Sequence, residues 1–347
     1  MSLYDKYAAQ DDDYIFVNFI EGQFERRDFK SLISKEYTDK FVIEFKPTDK
    51  CNFDCSYCCF HDNKAKPCTD EMFENYKTVI RNMNIDKDEI FLFLYGGEPT
   101  RHPKLVDYII ELNDLFPGKT VKTLIQSNGM FWKLEEYKTN CQRLIDHGVD
   151  FVFSFSYHRE FCKISELKPR IDYLMSIETH GHPVFECMTY MITKENVDIH
   201  VAQIKILEQT NIPVYVRTIL QESEWFLTSK YKQYITTDTH DPYMLVDTEG
   251  VEHSYGFEDL TMRGYLNFKG YSCSAGQNAI LMGSNGKIFR CDMDFLYDRN
   301  EIYNVNESLE PKYEIDNCLK CDHKFCSIYY GDKWDQDATD VSHHRKS

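Results

Sequence analysis

Three cysteines lie within one short segment of this chain, and no other sequence feature constrains it as strongly. Cys51, Cys55 and Cys58 follow the spacing Cys-x3-Cys-x2-Cys after the apolar run 41–45. Cysteine thiolates at short fixed spacings hold iron–sulfur clusters, and a cubane held by three of them leaves one of its four irons without a protein ligand. A structural zinc site is the alternative, but it requires a fourth protein ligand. The open iron is therefore a candidate reaction centre.

A glycine-rich turn follows about forty residues later. The apolar segment 89–95 reads as a buried strand, and it ends at Gly96-Gly97-Glu98-Pro99. Taken alone, this run predicts a tight turn. Combined with the three-cysteine loop and the aromatic Tyr57 before its last cysteine, it resembles the radical S-adenosylmethionine (radical SAM) superfamily.

The resemblance implies a cofactor and an activity. In that family the three cysteines hold a 4Fe–4S cluster, and the open iron is chelated by the amino and carboxylate groups of S-adenosylmethionine (SAM). Reduction of the cluster, by a donor such as flavodoxin or ferredoxin, cleaves SAM to a 5′-deoxyadenosyl radical. The resemblance assigns contact with the methionyl amino group to the segment Gly96, Gly97, Glu98 and Pro99.

Alternating strand-like and helix-like segments predict an α/β fold. Six apolar runs, at 41–45, 90–95, 121–126, 150–156, 184–191 and 214–220, are separated by amphipathic stretches, which indicates parallel βα units. The resemblance implies a partial (β/α)6 barrel. The predicted domains are an N-terminal cap (1–39), the barrel (40–220), a bridging region (221–270) and a C-terminal auxiliary-cluster domain (271–347).

Polar residues stand at the ends of predicted strands, where barrels of this kind place functional groups. The resemblance makes Ser127 and Asn128 candidates for cofactor contact. Ser154 and Ser156 are candidates because alternate residues of a strand face the same side, and Arg217 because a charge in a buried strand needs a partner, which could be the cofactor carboxylate or a substrate anion. A turn would equally explain the Ser-Asn pair, and a structural ion pair would explain the arginine. His158 and Arg159 are candidate substrate contacts or residues of a solvated loop. Cys162 is a candidate hydrogen donor or a buried thiol.

A second cysteine set lies in the last hundred residues. Cys273 and Cys291 flank a hairpin pattern with an Asn-Gly turn, and Cys318, Cys321 and Cys326 follow. Zinc would fit four such thiolates. The spacing also resembles the SPASM and twitch extensions of radical SAM enzymes, although five cysteines are too few for two complete cubanes. We therefore expect one auxiliary 4Fe–4S cluster on Cys273, Cys291, Cys318 and Cys321, with Cys326 as the ambiguous member.

Composition excludes several classes of partner. The formal net charge is −17, and no basic run marks a nucleic-acid surface. No apolar stretch approaches the roughly 18 residues that cross a bilayer, and the N-terminus lacks a signal-peptide pattern. These features predict a cytoplasmic protein without nucleic-acid or membrane partners.

The resulting expectation is an enzyme that abstracts a hydrogen atom from a substrate C–H bond. Relatives with such extensions most often modify peptides or proteins, which favours that substrate class. Oxidation, epimerisation or rearrangement of a small metabolite such as a sugar is the first alternative. A non-catalytic iron–sulfur or zinc protein is the second, although it would have no use for the open iron.

Overall fold

The computed structural model describes residues 29–34, 40–58, 66–218, 229–235, 243–247, 251–255, 272–296, 298, 300–312 and 319–321. These residues form two compact units. Unit 1 contains described residues within Met1–Glu44, Thr69–Glu89 and Thr237–Ser347, and unit 2 contains those within Phe45–Cys68 and Ile90–Thr236. The predicted domain boundaries stay predictions.

The elements alternate along much of the chain. In chain order, the strands are β1 (Phe29–Ser34), β2 (Lys40–Phe45), β3 (Glu89–Leu94), β4 (Thr120–Ser127), β5 (Asp150–Tyr157), β6 (Glu178–Thr179), β7 (His182–Pro183), β8 (Phe185–Ile192), β9 (Val214–Thr218), β10 (Tyr243–Asp247), β11 (Glu252–Tyr255), β12 (Ser272–Cys273), β13 (Ala279–Met282), β14 (Lys287–Phe289), β15 (Tyr303–Asn304) and β16 (Leu319–Lys320). The α-helices are α1 (Asp70–Asn82), α2 (Leu105–Asn113), α3 (Leu134–Asp146), α4 (Ile164–Ser176), α5 (Val197–Leu207) and α6 (Asp292–Leu296).

Unit 2 is built on a parallel sheet. Its strands lie in the order β3-β4-β5-β8-β9, and the pairs from β4 to β9 are parallel. Helices α2 to α5 connect them, so the predicted α/β fold with a partial barrel of parallel strands is confirmed. Within β5, Phe153 and Phe155 pack on Tyr137 of α3 at centroid distances of 5.5 and 5.9 Å. This apolar face attaches the sheet to its helices.

Unit 1 is largely antiparallel. Strand β10 pairs with β1 and β11, β12 pairs with β16, and β13 pairs with β14, which in turn pairs with β15. The predicted hairpin around Asn285-Gly286 is present as β13 and β14, and Gly286 adopts a φ of +83° there. Tyr76 of α1 donates a hydrogen bond of 2.6 Å to the carbonyl of Gly283 beside that hairpin. Among the described residues, no helix has the length and apolar character needed to cross a membrane.

Candidate functional site

The cysteine loop follows β2 and holds its three thiols half-buried. The backbone N–H of Phe53 donates to Cys51 Sγ at 3.4 Å, and Asn128 Nδ2 lies 3.7 Å from the same sulfur. Burial raises the pKa of Cys51 to about 11 and that of Cys55 to about 12, and the charges of the neighbouring thiols add to both shifts. The three sulfurs are therefore close enough to interact.

The donor set of the loop is three thiols, which is one ligand short of a structural zinc site and sufficient for a cubane with one open iron. A zinc ion with Zn–S bonds of about 2.3 Å would require its sulfurs to lie within about 4.6 Å of one another. In the part of the chain that the structure describes, no three His, Cys, Asp or Glu side chains surround one metal-ion position in this way. A cubane binds each thiolate through a different iron, so the sulfurs of its cysteine ligands can lie farther apart. Three interacting thiols on one loop are suited to that arrangement.

The Gly-Gly-Glu-Pro run packs against the start of the cysteine loop. The N–H of Gly97 donates to the carbonyl of Thr48 at 3.0 Å, and the N–H of Glu98 donates to that of Lys50 at 2.8 Å. A Cβ atom at Gly97 would lie 2.4 Å from the carbonyl oxygens of both Asp49 and Lys50. Only glycine permits this close approach of the two backbones.

Glu98 is completely buried, and its carboxylate joins the ends of β3 and β4. It accepts hydrogen bonds from Ser127 Oγ at 2.8 Å and from the N–H of Asn128 at 2.7 Å, as well as from the backbone and hydroxyl of Thr100. Burial raises its pKa, and these hydrogen bonds oppose the rise. The structure thus brings together the predicted residues Gly97, Glu98, Ser127 and Asn128 beside the cysteine loop. Pro99 and Thr100 begin a 3-10 turn behind them.

His158 lies against the cysteine loop. Its Nδ1 is 2.7 Å from the hydroxyl oxygen of Tyr57, and its ring meets the edge of Phe53 at 6.0 Å. Burial lowers the pKa of His158 to about 4, so the ring is neutral at pH 7. The contact joins the end of β5 to the loop, a role that the sequence did not indicate. Cys162 packs nearby, and its thiol approaches the carbonyl of His158 at 3.7 Å.

Ser154, Ser156 and Arg217 share one face of the sheet. Ser154 pairs with Cys187 and Ser156 with Thr189 across β5 and β8, while Met191 of β8 pairs with Arg217 of β9. Alternate residues of a strand face the same side, so this set lies opposite the phenylalanine face that packs on α3. Ser154 Oγ lies 3.2 Å from Cys187 Sγ, and Gln126 donates to Ser156 at 3.1 Å.

The sequence-based search missed Gln126, Cys187 and Thr189. Each lies one strand away from a candidate serine, on the same face. The sequence shows which residues of each strand share a face, because side chains alternate between the two faces of a sheet. It does not show which strands are neighbours, so it could not show that these residues lie beside the candidate serines. The charge of Arg159 acts on the pKa values of Tyr157, Tyr190 and His200. Hydrogen bonds join these three side chains, from Tyr190 to His200 directly and from Tyr190 to Tyr157 through Gln203.

The second cysteine set is partly described. Cys273 and Cys321 are buried, and the pairing of β12 with β16 places Cys273 opposite Leu319, which lies within the predicted Cys-x2-Cys segment. Cys291 follows the hairpin, and burial raises the pKa of its thiol. Cys318 and Cys326 lie outside the described residues. Within unit 1, Cys273 therefore lies on the strand that pairs with the segment containing Cys321.

Comparison with known proteins assigns the cysteine loop and the following strands to a family. Residues 45–203 match the Radical SAM superfamily. The match covers the cysteine loop and the strands that follow it, a little under half of the chain. No curated protein sequence matches the chain.

Two solved structures resemble the chain in fold. Native anSMEcpe with bound AdoMet is 14% identical and matches 77% of this chain and 79% of its own, with a TM-score of 0.51. A hexahistidine-tagged form of anSMEcpe with bound AdoMet is 13% identical over 78% of this chain and 79% of its own, with a TM-score of 0.50. At such low identity, the likeness is one of fold. It agrees with the parallel sheet of unit 2.

Proposed function

We propose that this chain is a radical SAM enzyme that reductively cleaves SAM and abstracts a hydrogen atom from a peptide or protein. The observation that carries the proposal is the packing of the Gly-Gly-Glu-Pro run against the start of the loop that carries the three thiols. A non-catalytic iron–sulfur or zinc protein would not need both features. Cys51, Cys55 and Cys58 would hold the 4Fe–4S cluster with its open iron.

When bound, the cluster and SAM supply the reductive cleavage that produces the 5′-deoxyadenosyl radical. The chain binds and orients these groups and excludes water from them. We assign contact with SAM to Gly96, Gly97, Glu98 and Pro99, and to the polar strand-end residues Ser127, Asn128, Ser154, Ser156 and Arg217. The guanidinium of Arg217 suits the SAM carboxylate, because arginine binds carboxylates through charge-assisted hydrogen bonds.

Two exposed phenylalanines favour a peptide substrate. Phe131 is 42% exposed after β4, where the Arg101 guanidinium lies 5.5 Å from its ring centroid; Arg101 also donates to the carbonyl of Cys51. Phe161 is 36% exposed after β5, where it stacks on Phe53 of the cysteine loop. Apolar surface beside the site suits apolar side chains of a peptide better than a polyhydroxylated sugar. Oxidation, epimerisation or rearrangement of a small metabolite stays the alternative.

The proposal includes an auxiliary 4Fe–4S cluster and an electron donor. Buried Cys273 and Cys321, together with Cys291 and Cys318, would hold the second cluster, with Cys326 as the remaining candidate. An auxiliary cluster could accept the second electron of an oxidation or bind the substrate. Flavodoxin or ferredoxin would supply electrons, and thiol ligands of this kind persist in a reducing compartment such as the cytoplasm.

Anaerobic reconstitution tests the proposal. The protein should contain about eight iron atoms and about eight sulfides per chain, and a variant with Cys51, Cys55 and Cys58 replaced by alanine should contain about four of each. With dithionite and SAM, the unaltered protein should release 5′-deoxyadenosine and methionine, and the triple variant should release neither. Cys141→Ala serves as the control, because that buried thiol lies in α3, outside both cysteine sets.

Two outcomes would contradict the proposal. A fully loaded protein that cleaves no SAM would be a non-catalytic iron–sulfur protein. Zinc bound in place of the second set of four irons would exclude the auxiliary cluster while leaving the radical SAM site intact.

A further inference from the structure

The side-chain amide of Asn128 lies against one of the three thiols that would hold the cluster. Its Nδ2 atom is 3.7 Å from Cys51 Sγ, which is a hydrogen-bonding distance for sulfur because sulfur has a larger radius than oxygen. The backbone N–H of Phe53 donates to the same sulfur at 3.4 Å. The bond from Phe53 is local to the cysteine loop, whereas the bond from Asn128 joins residues 77 positions apart.

Three further hydrogen bonds hold Asn128 in this position. Its backbone N–H donates to Glu98 Oε2 at 2.7 Å, and its Oδ1 accepts the N–H of Met130 at 2.9 Å. Its Nδ2 also donates to Asn52 Oδ1 at 2.9 Å. Because Asn128 is only 5% exposed, water competes weakly for these groups.

Donor and acceptor counting fixes the orientation of the amide. The N–H of Met130 can only donate, so the atom of Asn128 that faces it must be the oxygen. The nitrogen therefore faces the cysteine loop with two hydrogens, of which Asn52 accepts one. The other can reach Cys51, whose sulfur can only accept when it is an iron-bound thiolate. Both N–H groups of the side chain are then engaged, so a contact of Asn128 with SAM would use one of its oxygen atoms.

We propose that Asn128 donates a hydrogen bond to the sulfur of Cys51 in the loaded protein and thereby raises the reduction potential of the cluster. Reduction adds negative charge to the cluster and its sulfurs, so a hydrogen-bond donor at a sulfur stabilises the reduced state more than the oxidised state. Groups that bond to metal ligands from outside the ligand set tune metal centres in this way. The inference rests on the proposed function, because it requires a cluster on the three cysteines.

The first test is a potentiometric titration of the reconstituted protein, monitored by electron paramagnetic resonance on the signal that changes when SAM is added. Asn128→Leu keeps the approximate shape of the side chain and removes the donor to Cys51. We expect the ratio of reduced to oxidised cluster to fall about tenfold at a fixed ambient potential, because hydrogen bonds to charged groups are among the stronger ones. For a one-electron couple this corresponds to a midpoint about 59 mV more negative.

Asn113→Leu is the matched control. Asn113 ends α2, and its Nδ2 donates to the carbonyl of Ile109 at 2.9 Å and to Thr123 Oγ1 at 3.4 Å. The variant loses a comparable amide that has no sulfur partner, so it should keep the original midpoint.

Isotope labelling detects the bond without altering Asn128. The protein is made cell-free with asparagine that carries ¹⁵N in its side-chain amide, and the reduced cluster is studied by pulsed electron paramagnetic resonance. We expect a ¹⁵N hyperfine coupling, because spin density on the Cys51 sulfur reaches the amide nitrogen through the hydrogen bond. Asn52→Asp should keep the coupling, since it removes the neighbouring labelled amide but retains the oxygen that accepts from Asn128. Asn128→Leu should abolish it.

The outcomes separate this inference from the proposed function. An unchanged midpoint in a fully loaded Asn128→Leu protein would overturn the inference alone, and so would an equal shift in Asn113→Leu. If Asn128→Leu does not load its cluster, the labelling decides: no coupling in the loaded unaltered protein, or its loss in Asn52→Asp, would overturn the inference. Failure of the unaltered protein to assemble a SAM-responsive cluster would instead contradict the proposed function, and the inference with it.

Discussion

Glu98 is a carboxylate whose hydrogen-bond partners come from two separate segments. Thr100 lies on its own turn, whereas Ser127 and Asn128 lie at the end of β4. The residue is completely buried, so each of its oxygen atoms depends on these donors for solvation. Its local motif was recognisable in the sequence, but its partners thirty residues away were not.

Replacing Glu98 tests this bonding directly. Glu98→Gln keeps the shape of the side chain but turns one acceptor oxygen into a donor NH2 group that faces an N–H or hydroxyl. We expect the free energy of unfolding to fall by about 1–3 kcal/mol, the cost of leaving buried polar groups without partners. Urea denaturation of the variant and the unaltered protein measures this difference.

An exposed glutamate provides the comparison. Glu135 lies in the first turn of α3, and its carboxylate contacts only Lys138 among the ion pairs described for it. Glu135→Gln should change the free energy of unfolding by no more than about 0.5 kcal/mol. A loss as small as this in Glu98→Gln would show that the buried carboxylate does not stabilise the two strand ends.

At the scale of elements, the turn after β3 and the cysteine loop form one assembly through backbone contacts. Two hydrogen bonds join the segments: the N–H of Gly97 donates to the carbonyl of Thr48 at 3.0 Å, and the N–H of Glu98 donates to that of Lys50 at 2.8 Å. The position of the thiols relative to the sheet therefore depends on the close approach at Gly97.

Gly97→Ala should separate these segments. The added Cβ would lie 2.4 Å from two carbonyl oxygens, so the backbone of one segment must shift. We expect a lower urea midpoint and a lower iron content after reconstitution, because the thiols would leave their positions. Gly118→Asn is the control: a Cβ atom at Gly118 would have no atom within 4 Å, and asparagine tolerates its φ of +84°. A fully loaded Gly97→Ala protein would contradict the prediction.

The strands and helices were predicted accurately where the local sequence pattern was clear. Five of the predicted strands appear within one residue of their expected bounds, and the sixth is present over Val214–Thr218, with positions 219 and 220 outside the described residues. Apolar runs between turns mark buried strands clearly. Helix α4 was expected from the alternation of strands and helices, but its bounds were not predicted, and Pro169 lies inside it. Its buried residues Leu167, Ile171 and Leu174 follow a helical spacing, so packing of this face outweighs the cost of the proline.

At the scale of the whole chain, contacts between distant segments were the least predictable part. The three cysteines and the Gly-Gly-Glu-Pro run were found because their residues are adjacent or closely spaced. The contact of Tyr57 with His158 joins residues 101 positions apart, and no local pattern indicates it. The network around His200 depends in the same way on the packing of α5 against β5 and β8.

That network predicts the response of the molecule to acid. His200 Nδ1 lies 2.9 Å from the hydroxyl of Tyr190, and its Nε2 lies 3.2 Å from that of Thr193. Burial, followed by the charge of Arg159, lowers the pKa of His200 to about 4. An unfolded histidine has a pKa of about 6.5. Between these two values, the unfolded state binds a proton that the folded state does not.

The free energy of unfolding should therefore decrease as the pH falls from about 6.5 to about 4, since proton binding in this window favours the unfolded state. His200→Gln removes this titration while retaining a polar side chain in the network. We expect urea midpoints measured at pH 7.5, 6 and 5 to fall less steeply in this variant than in the unaltered protein. His147→Gln, at an exposed position after α3, should preserve the original pH dependence. Equal pH dependence in the unaltered protein and His200→Gln would show that burial of His200 does not contribute to acid sensitivity.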